Sequence, residues 1–585
     1  MKLSPEKKIA GILAPLFALR GENDLGIGDT GALREFIDWA AGIGFKLVQL
    51  LPINEIGADN SPYNAISAIA IEPTTLHLEP GSPQDLTRQD FDASLSEAAV
   101  SRLRGGAVKY RQVKELKQRL LEKAFENFSA NASEERKSEF RKFFQQESAW
   151  LGDYVFFRVL MEVNKDSAAW DRWPAQHQTI ERARSWLHNL PHDQKAALTK
   201  RQEFFCYMQW IAHQQWRAIK SYAEERGVAL MGDIPFGVSY CSADVFARRN
   251  EFVLDWFGGA PPEPYFEDDA FTRKWGQNWG IPLYRWERMR ANNFQWWRQR
   301  VRGVRRIFHL FRVDHVQGFY RIYAFPWRPR LNKEFLPFNE YQMLERTGGR
   351  APHFVPHDDN TPENRDANKR EGEGYLRVVL EEAGGMRVSG EDLGVVPEYV
   401  RPSLRSLGIA GFKIPQWEMR DGTIIPGEMY ERLSVATYAT HDHSPIPALW
   451  NEAFAHPSSS IGAQARATLE KIALFAGLGS QGTAVSSPPN QSGADWKPPS
   501  LGPPDFEKKF YPAIMEALFK CNSWIAIVMI TDLLARKYRF NVPGTKASLN
   551  WTRRMQRSIE ELTSSRKELR RMQLIRELLE KTGRV

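Results

Sequence analysis

The chain has 585 residues, more than one small core accommodates, so we expect a large domain with insertions or several domains. Basic residues exceed acidic ones by only eight, 79 against 71, and the two signs are interspersed, which argues against nucleic-acid binding. Three cysteines, without disulfide or zinc spacing, favour a cytoplasmic protein. Because no apolar run spans a membrane and no signal-peptide core is present, we expect neither membrane insertion nor export.

Eight short apolar runs, rich in β-branched and aromatic residues, are predicted to be strands. In chain order they begin at Gly11, Phe45, Val228, Ile307, Met386, Gly411, Ser434 and Trp524. A helical pattern follows Asp29, a favourable N-cap, and its apolar face carries Leu33, Phe36, Ile37 and Ala40. Strands that alternate with helices over this length predict one α/β domain over residues 1–585, a (β/α)8 TIM barrel.

The uneven spacing of the strands predicts large, mainly helical insertions on the loops at the C-terminal face of the barrel. Residues 85–216 have charged helical patterns and are predicted to form an inserted subdomain after strand two. Residues 323–375 are predicted to be an insertion between strands four and five, and residues 477–504, rich in Pro, Gly and Ser, a loop. The alternating charges of residues 552–585 predict a solvated C-terminal helix.

Three of the predicted strands carry a carboxylate at or near their ends, in the order Asp314, Glu391 and Asp442. The C-terminal ends of parallel barrel strands meet at one rim, so we expect these acids to lie close together. Three acids with Arg and His nearby are typical of glycosidic-bond chemistry. The 19 Trp residues also suit a protein that packs aromatic rings against sugar faces.

A retaining enzyme of this kind needs an ionised carboxylate as nucleophile and a protonated one as acid, roughly 5 Å apart. Arg312 lies two residues before Asp314, so both side chains share one strand face and the cation favours an ionised acid. Glu391 has a second acid beside it and suits the protonated role. Asp442, which follows His441, is a candidate to bind hydroxyls beside the reacting carbon.

Two other interpretations stay open on these residues alone. An α-amylase-like hydrolase would use the same acids with water as acceptor, and a glycan-binding protein would have lost catalysis. The presence of all three acids favours an enzyme. We expect no cofactor and no metal, because the sequence has no phosphate loop, dinucleotide fingerprint or metal-ligand spacing.

Longer motifs carry a family resemblance. In chain order they are LGIGD (from Leu25), SPYNAISA (from Ser61), GDIPFGVSYCSADV (from Gly232), GGAPPEPYF (from Gly258), WGQNWGIPLYRW (from Trp275), RVDH, GEDLG, THD and NVPGT (from Asn541). Together they resemble the 4-α-glucanotransferases of the amylomaltase or disproportionating-enzyme type, glycoside hydrolase family 77. The match covers most of the chain, and so many motifs in family order make it specific.

The resemblance implies that a segment of an α-1,4-glucan is transferred to the 4-hydroxyl of an acceptor glucan or glucose, through a covalent glucosyl-enzyme. It implies maltooligosaccharides and starch- or glycogen-derived glucans as substrates, with no nucleic-acid or membrane partner. By the same resemblance Asp314 is the nucleophile, Glu391 the general acid and base, and Asp442 the transition-state stabiliser.

The resemblance also implies a set of substrate-binding residues: Arg312, His441, His315, Tyr63, Asp233, Gln277, Trp279 and Asn541. Tyr63 is expected to stack on the terminal glucose and Asp233 to contact sugar hydroxyls. Gln277 and Trp279 are expected to line the acceptor side. The chain departs from the family after THD, where an acid and Thr are common and Ser444 and Pro445 stand here. This difference is expected to bear on donor and acceptor preference.

Overall fold

The computed structural model describes residues 1, 3–263, 269–479, 506–543, 545 and 550–585. Most of the loop predicted at 477–504 lies outside these residues, from position 480 onwards. None of the described helices combines the length and the apolarity needed to cross a membrane.

The strands alternate with helices along most of the chain. The strands are β1 (Ile9–Leu13), β2 (Leu47–Gln49), β3 (Ala229–Ile234), β4 (Phe252–Ala260), β5 (Gln277–Tyr284), β6 (Leu310–Val313), β7 (Ile322–Phe325), β8 (His353–Val355), β9 (Arg387–Gly390), β10 (Ala410–Lys413), β11 (Met419–Arg420), β12 (Thr423–Ile424), β13 (Ser434–Ala436) and β14 (Ile525–Met529). The helices of the first half are α1 (Thr30–Ile43), α2 (Arg88–Ser94), α3 (Glu97–Arg104), α4 (Tyr110–Asn131), α5 (Glu134–Val163), α6 (Ile180–His188), α7 (His192–Glu225), α8 (Ala243–Ala247), α9 (Ala270–Trp275), α10 (Trp286–Ala291) and α11 (Gln295–Ile307). Those of the second half are α12 (Asn332–Phe335), α13 (Glu340–Thr347), α14 (Pro362–Ala383), α15 (Val400–Ser406), α16 (Ile446–Ala455), α17 (Ser460–Phe475), α18 (Tyr511–Lys520), α19 (Ile530–Leu533), α20 (Ile559–Ser564) and α21 (Arg566–Lys581).

Eight strands close a parallel barrel in the order β1-β14-β13-β10-β9-β6-β3-β2. Each of them overlaps one of the eight predicted runs, so the predicted (β/α)8 barrel is confirmed. Barrel strands are covered on both faces, which explains why they read as continuous apolar runs. All five residues of β14, for example, are buried. Helix α1 begins after Asp29, whose side chain accepts hydrogen bonds from the backbone N–H groups of Gly31 and Ala32, as predicted.

Helices α2 to α6 lie between β2 and β3, within the predicted insertion at 85–216. Helix α7 runs through the boundary predicted at residue 216 and continues to Glu225, where it returns the chain to β3. It packs against α1 and α11 of the barrel as well as against α5. The helix therefore belongs both to the insertion and to the outer layer of the barrel.

A four-stranded antiparallel sheet, in the order β5-β4-β7-β8, stands beside the barrel, and the sequence did not predict it. Two of its strands precede β6 and two follow it, so the predicted insertion at 323–375 supplies only part of the sheet. Helix α14 crosses the boundary predicted at 375 and packs against α11. The sheet has a small aromatic core of its own, made of Phe271, Trp275, Phe325, Trp327, Phe335 and Met343.

The C-terminal residues differ from the predicted single solvated helix. They form two helices, α20 and α21, that meet at Ser565, and they pack against α1 and α18. Several charges of this region are buried and not solvated: Arg554 binds Asp24 at 2.7 Å, and Arg571 binds Glu568 at 2.7 Å. The alternating charges therefore indicated helical structure, but they did not indicate that one side of these helices is buried.

Candidate active site

A cavity of about 830 Å³ opens at the carboxyl edge of the barrel. Among the residues that line it are all but one of the predicted site residues: Tyr63, Gln277, Trp279, Arg312, Asp314, His315, Glu391, His441, Asp442 and Asn541. The exception, Asp233, is buried beneath the cavity, where its carboxylate accepts hydrogen bonds from two lining residues, Tyr63 and Arg312. Residues from distant parts of the chain thus lie around one cavity.

Arg312 is the centre of the acidic group. From strand β6 its Nη1 donates to Asp233 Oδ2 at 2.5 Å, and its Nη2 donates to Asp314 Oδ1 at 2.6 Å. The same Nη2 lies 3.9 Å from Glu391 Oε2. Because the two distances from Nη2 share that atom, their sum of about 6.5 Å is the upper limit for the separation of the Asp314 and Glu391 oxygens. This limit allows the spacing of retaining enzymes.

Glu391 follows strand β9, and the loop after the neighbouring strand β6 fixes its carboxylate. The backbone N–H of His315 donates to its Oε2 at 2.8 Å, from a left-handed conformation with φ of 46°. Burial raises the pKa of Glu391 to about 7; Arg312 opposes the shift, and the negative charge of Asp314 adds to it. Glu391 therefore holds a proton over a range of pH in which ordinary carboxyl groups are ionised.

Asp442 lies in a different electrostatic environment. Asn541 Nδ2 donates to its Oδ1 at 2.7 Å, and His441 Nε2 lies 3.2 Å from its Oδ2. Burial alone raises the pKa of Asp442, but the charge and hydrogen bond of His441 and the hydrogen bond of Asn541 outweigh it, so this pKa is lowered. The side chain remains 43% exposed, facing the cavity. An ionised carboxylate is thus available to a ligand.

Tyr63 and His441 form one end of the cavity. Their rings stack with centroids 4.8 Å apart and an interplanar angle of 12°. The Tyr63 hydroxyl donates to Asp233 Oδ2 at 2.7 Å and lies 3.3 Å from His441 Nδ1. Burial lowers the pKa of His441, but the adjacent Asp442 carboxylate outweighs this effect and raises it. The stack is polar on its edges and flat on its face, which suits a sugar ring.

The antiparallel sheet supplies another wall of the cavity. Trp279, on β5, is 40% exposed, and its Nε1 donates to Gln277 Oε1 at 3.1 Å. The Trp279 ring meets the His315 ring edge to face, with centroids 4.8 Å apart. Burial lowers the pKa of His315 to about 4, so this imidazole is neutral beside the acids. The wall therefore presents an aromatic ring and neutral polar groups.

Sequence reasoning missed several residues that line the cavity: Phe236, Arg321, Tyr323, Phe354, Trp417, Arg539 and Trp551. Most of them lie in loops or in the sheet that was not predicted. One signal was available, because Arg539 stands two residues before Asn541, the first residue of the NVPGT motif. Among the described residues no group of three or more His, Cys, Asp and Glu side chains is arranged to hold a metal ion.

A parallel barrel with three carboxylates around one guanidinium, and a fourth beside a histidine, has the features of an enzyme that acts on glycosidic bonds. Comparison with known proteins identifies the family within this class of enzymes. The model of the 4-alpha-glucanotransferase family matches residues 14–560. The chain therefore belongs to the 4-alpha-glucanotransferase family, which confirms the resemblance.

Individual relatives agree with this assignment. A 4-alpha-glucanotransferase of Chlamydia caviae is 30% identical over 566 residues, which cover 94% of this chain and 91% of that protein. A 4-alpha-glucanotransferase of Thermus thermophilus is 28% identical over 558 residues, which cover 93% of this chain and 94% of that protein. Among solved structures, the amylomaltase of Corynebacterium glutamicum superposes with a TM-score of 0.74 at 20% identity, covering 100% of this chain and 77% of that one. The amylomaltase of Streptococcus agalactiae in complex with acarbose superposes with a TM-score of 0.70 at 22% identity, covering 99% of this chain and 100% of that one. These two likenesses concern the fold.

Proposed function

We propose that this cavity transfers a segment of an α-1,4-glucan to the 4-hydroxyl of an acceptor glucan or glucose, with retention at the anomeric carbon. One observation carries the proposal: Arg312 Nη2 contacts Asp314 at 2.6 Å and lies 3.9 Å from Glu391, so two carboxylates flank one point of the cavity. Their environments differ, which suits a nucleophile and a proton donor.

In the first step an Asp314 oxygen attacks the anomeric carbon. The bond from that carbon to the glycosidic oxygen breaks, and Glu391 gives its proton to the departing oxygen. A glucosyl-enzyme ester remains. Support for the role of Glu391 comes from its pKa of about 7, which keeps the proton available near neutral pH.

In the second step the 4-hydroxyl of an acceptor enters the place of the departed chain. Glu391 takes its proton, the new oxygen bonds to the anomeric carbon, and the ester bond to Asp314 breaks. Two inversions give net retention. Asp442, held by His441 and Asn541, is suited to bind hydroxyls beside the reacting carbon as the ring flattens.

Binding roles follow from the two ends of the cavity. The stacked Tyr63 and His441 suit the glucose that is attacked, with Asp233 and Arg312 supporting them from below. Gln277 and Trp279 suit the acceptor side, where His315 also contributes. An aromatic wall favours a sugar acceptor over water because it offers the sugar a large apolar face.

Maltotriose tests the reaction. Transfer between maltotriose molecules yields glucose and longer oligosaccharides while the total of reducing ends stays constant. Hydrolysis, the alternative for this scaffold, raises that total as glucose and maltose accumulate. A steady rise in reducing ends without longer products would contradict the transferase.

Asp314→Asn tests the nucleophile. We expect loss of turnover with oligosaccharide binding retained, because the amide cannot form the ester but fills the same space. Glu391→Gln is expected to lose activity on natural glucans, whose leaving oxygen needs a proton. If Asp314→Asn keeps most of the wild-type kcat, the nucleophile is another residue.

Maltooligosaccharides and starch- or glycogen-derived glucans are the substrates that we propose, and no nucleic acid or membrane is part of the proposal. A cytoplasmic location is proposed as well. It is supported by Cys206, Cys241 and Cys521, which are all free thiols, as expected in a reducing compartment.

A further inference from the structure

Arg539 is a lining residue of the cavity that the proposed reaction does not yet use. Its guanidinium makes three hydrogen bonds with its three nitrogens. Nε donates to the backbone oxygen of Asn541 at 3.0 Å, Nη1 donates to Ser444 Oγ at 3.1 Å, and Nη2 donates to the backbone oxygen of Asp442. One planar group thus joins the loop after β13 to the loop after α19.

The residues that Arg539 binds are those that set the position of one carboxylate. Asp442 supplies that carboxylate, and Asn541 donates to its Oδ1 at 2.7 Å. A shift of either backbone would lengthen this bond or turn the carboxylate away from the cavity. The other oxygen of Asp442 is held by His441, which lies on the same loop as Asp442 and cannot restrain the second loop. Arg539 therefore ties the two loops together alongside the bond between Asn541 and Asp442.

The charge of Arg539 has an unusual setting. Within the described part of the chain, no ion pair links its guanidinium to a carboxylate, and its partners are two carbonyls and one hydroxyl. The hydroxyl belongs to Ser444, the position where this chain departs from the pattern expected after THD. Because one side chain meets three acceptors, the fixed planar fork of the guanidinium matters as well as its charge.

We propose that Arg539 is a positioning residue for the transfer reaction, acting on Asp442 and Asn541 through its three-way hydrogen-bonded contact and with Ser444 as its third anchor. The proposal rests on the proposed function, since it assumes that the Asp442 carboxylate stabilises the transition state. A group that holds such a carboxylate contributes to turnover without touching substrate. Misplacing a reactive group by about 1 Å can cost on the order of a hundredfold in rate.

Arg539→Lys is the decisive variant. Lysine keeps the positive charge but cannot reach three acceptors in one plane. We expect kcat for maltotriose disproportionation to fall roughly ten- to hundredfold, while KM changes by less than about threefold. The basic limb of the pH profile should stay in place, because Glu391 is unaffected. An unchanged kcat would overturn the proposal and show that charge alone suffices.

Ser444→Ala provides a milder test that does not depend on folding of the lysine variant. It removes one of three anchors, and we expect a smaller loss of kcat, roughly two- to fivefold, again with KM little changed. Arg536→Lys is the matched control, since Arg536 lies three residues away and binds Glu568 outside the cavity. Its kcat should equal that of the wild type. If Ser444→Ala has wild-type kcat, the third anchor is disproved.

Two comparisons separate positioning from general stability and from failure of the proposed function. In an Asn541→Ala background, Arg539→Lys should cost less than in the wild type, because both act on one carboxylate. A variant that lowers the melting temperature but leaves kcat intact would mark a structural role only. If Asp442→Asn is fully active, the proposed role of Asp442 fails; if it is inactive while Arg539→Lys is normal, only this inference fails.

Discussion

Two buried arginines lie at opposite ends of the barrel and have opposite surroundings. At the carboxyl edge Arg312 is surrounded by acids and pairs with Asp233 and Asp314. At the amino edge Arg584 is fully buried, and its hydrogen-bond acceptors among the described residues are neutral groups. Its partners are Cys521 Sγ and the backbone oxygens of Ile9, Phe519, Cys521, Ser523 and Trp524.

The two arginines differ in the kind of group that each positive charge can influence. The Arg312 cation acts on groups that gain and lose protons, so it alters the chemistry of the cavity. The Arg584 cation acts mainly on backbone carbonyl groups, which do not titrate, so its main effect is to hold backbone segments together. Burial of an arginine therefore says little about function until the charge of its partners is known.

Arg312→Gln should give the largest effect. Without the cation, Asp233, Asp314 and Glu391 lose their common partner, and we expect kcat to fall about a thousandfold or more. The measurement is turnover of maltotriose, with circular dichroism to establish that the variant is folded. If kcat falls by less than tenfold, Arg312 is not essential to the electrostatics of the site, and the contrast with Arg584 is weakened.

Arg584→Met should affect stability and not turnover. Five carbonyls lose a charged donor, and we expect the free energy of unfolding to fall by about 3–5 kcal/mol. Chemical denaturation monitored by tryptophan fluorescence gives this quantity, and kcat is measured well below the transition. If kcat of the folded variant also drops, the two ends of the barrel are coupled and the contrast is too simple.

The pH dependence of kcat/KM sharpens the role of the acids around Arg312. Glu391 must carry a proton for the first step, and its pKa is raised to about 7 by burial. Activity should therefore be present below pH 7 and fall about tenfold per pH unit well above it. Any residual activity of Glu391→Gln should lack this basic limb. A limb that persists in that variant belongs to another group.

Arg405→Ala gives the smallest expected effect and serves as a baseline for an exposed arginine. Arg405 pairs with Glu431 on the surface, where the two side chains are 57% and 46% exposed. Solvent screens such a pair, so we expect a change in the free energy of unfolding of at most about 1 kcal/mol. The same denaturation experiment checks it, and kcat should not change.

The barrel was predictable because its strands are short, apolar and buried on both faces. The antiparallel sheet was not, since its strands lack a regular alternation. Strand β4 pairs with β5 through shifted registers, and β5 contains Gly280 in a left-handed conformation with φ of 73°. The three buried residues of β5, Pro282, Leu283 and Tyr284, are consecutive and do not alternate with exposed ones, so hydrophobic periodicity gave no signal there.

The site was predictable where residues end barrel strands. Asp233 and Arg312 lie opposite each other in the pairing of β3 with β6, so strand order alone brings them together. Trp417 and Trp551 instead reach the cavity from loops, whose paths depend on packing that no local pattern encodes. The burial of Arg571 was missed for another reason, because alternating charge looks alike on either face of a helix. Arg584 lies beyond the end of α21, and its burial depends on packing against other parts of the chain.

The pairing of β1 with β14, which closes the barrel, has a consequence for folding kinetics. Strand β1 pairs with β14, and Ile9 lies opposite Ile525, so closure requires the two distant ends of the sequence to meet. Contacts of such long range form slowly. Until they form, the edges of both strands offer unpaired backbone groups to other molecules. Refolding from denaturant should therefore give less active enzyme as the protein concentration rises.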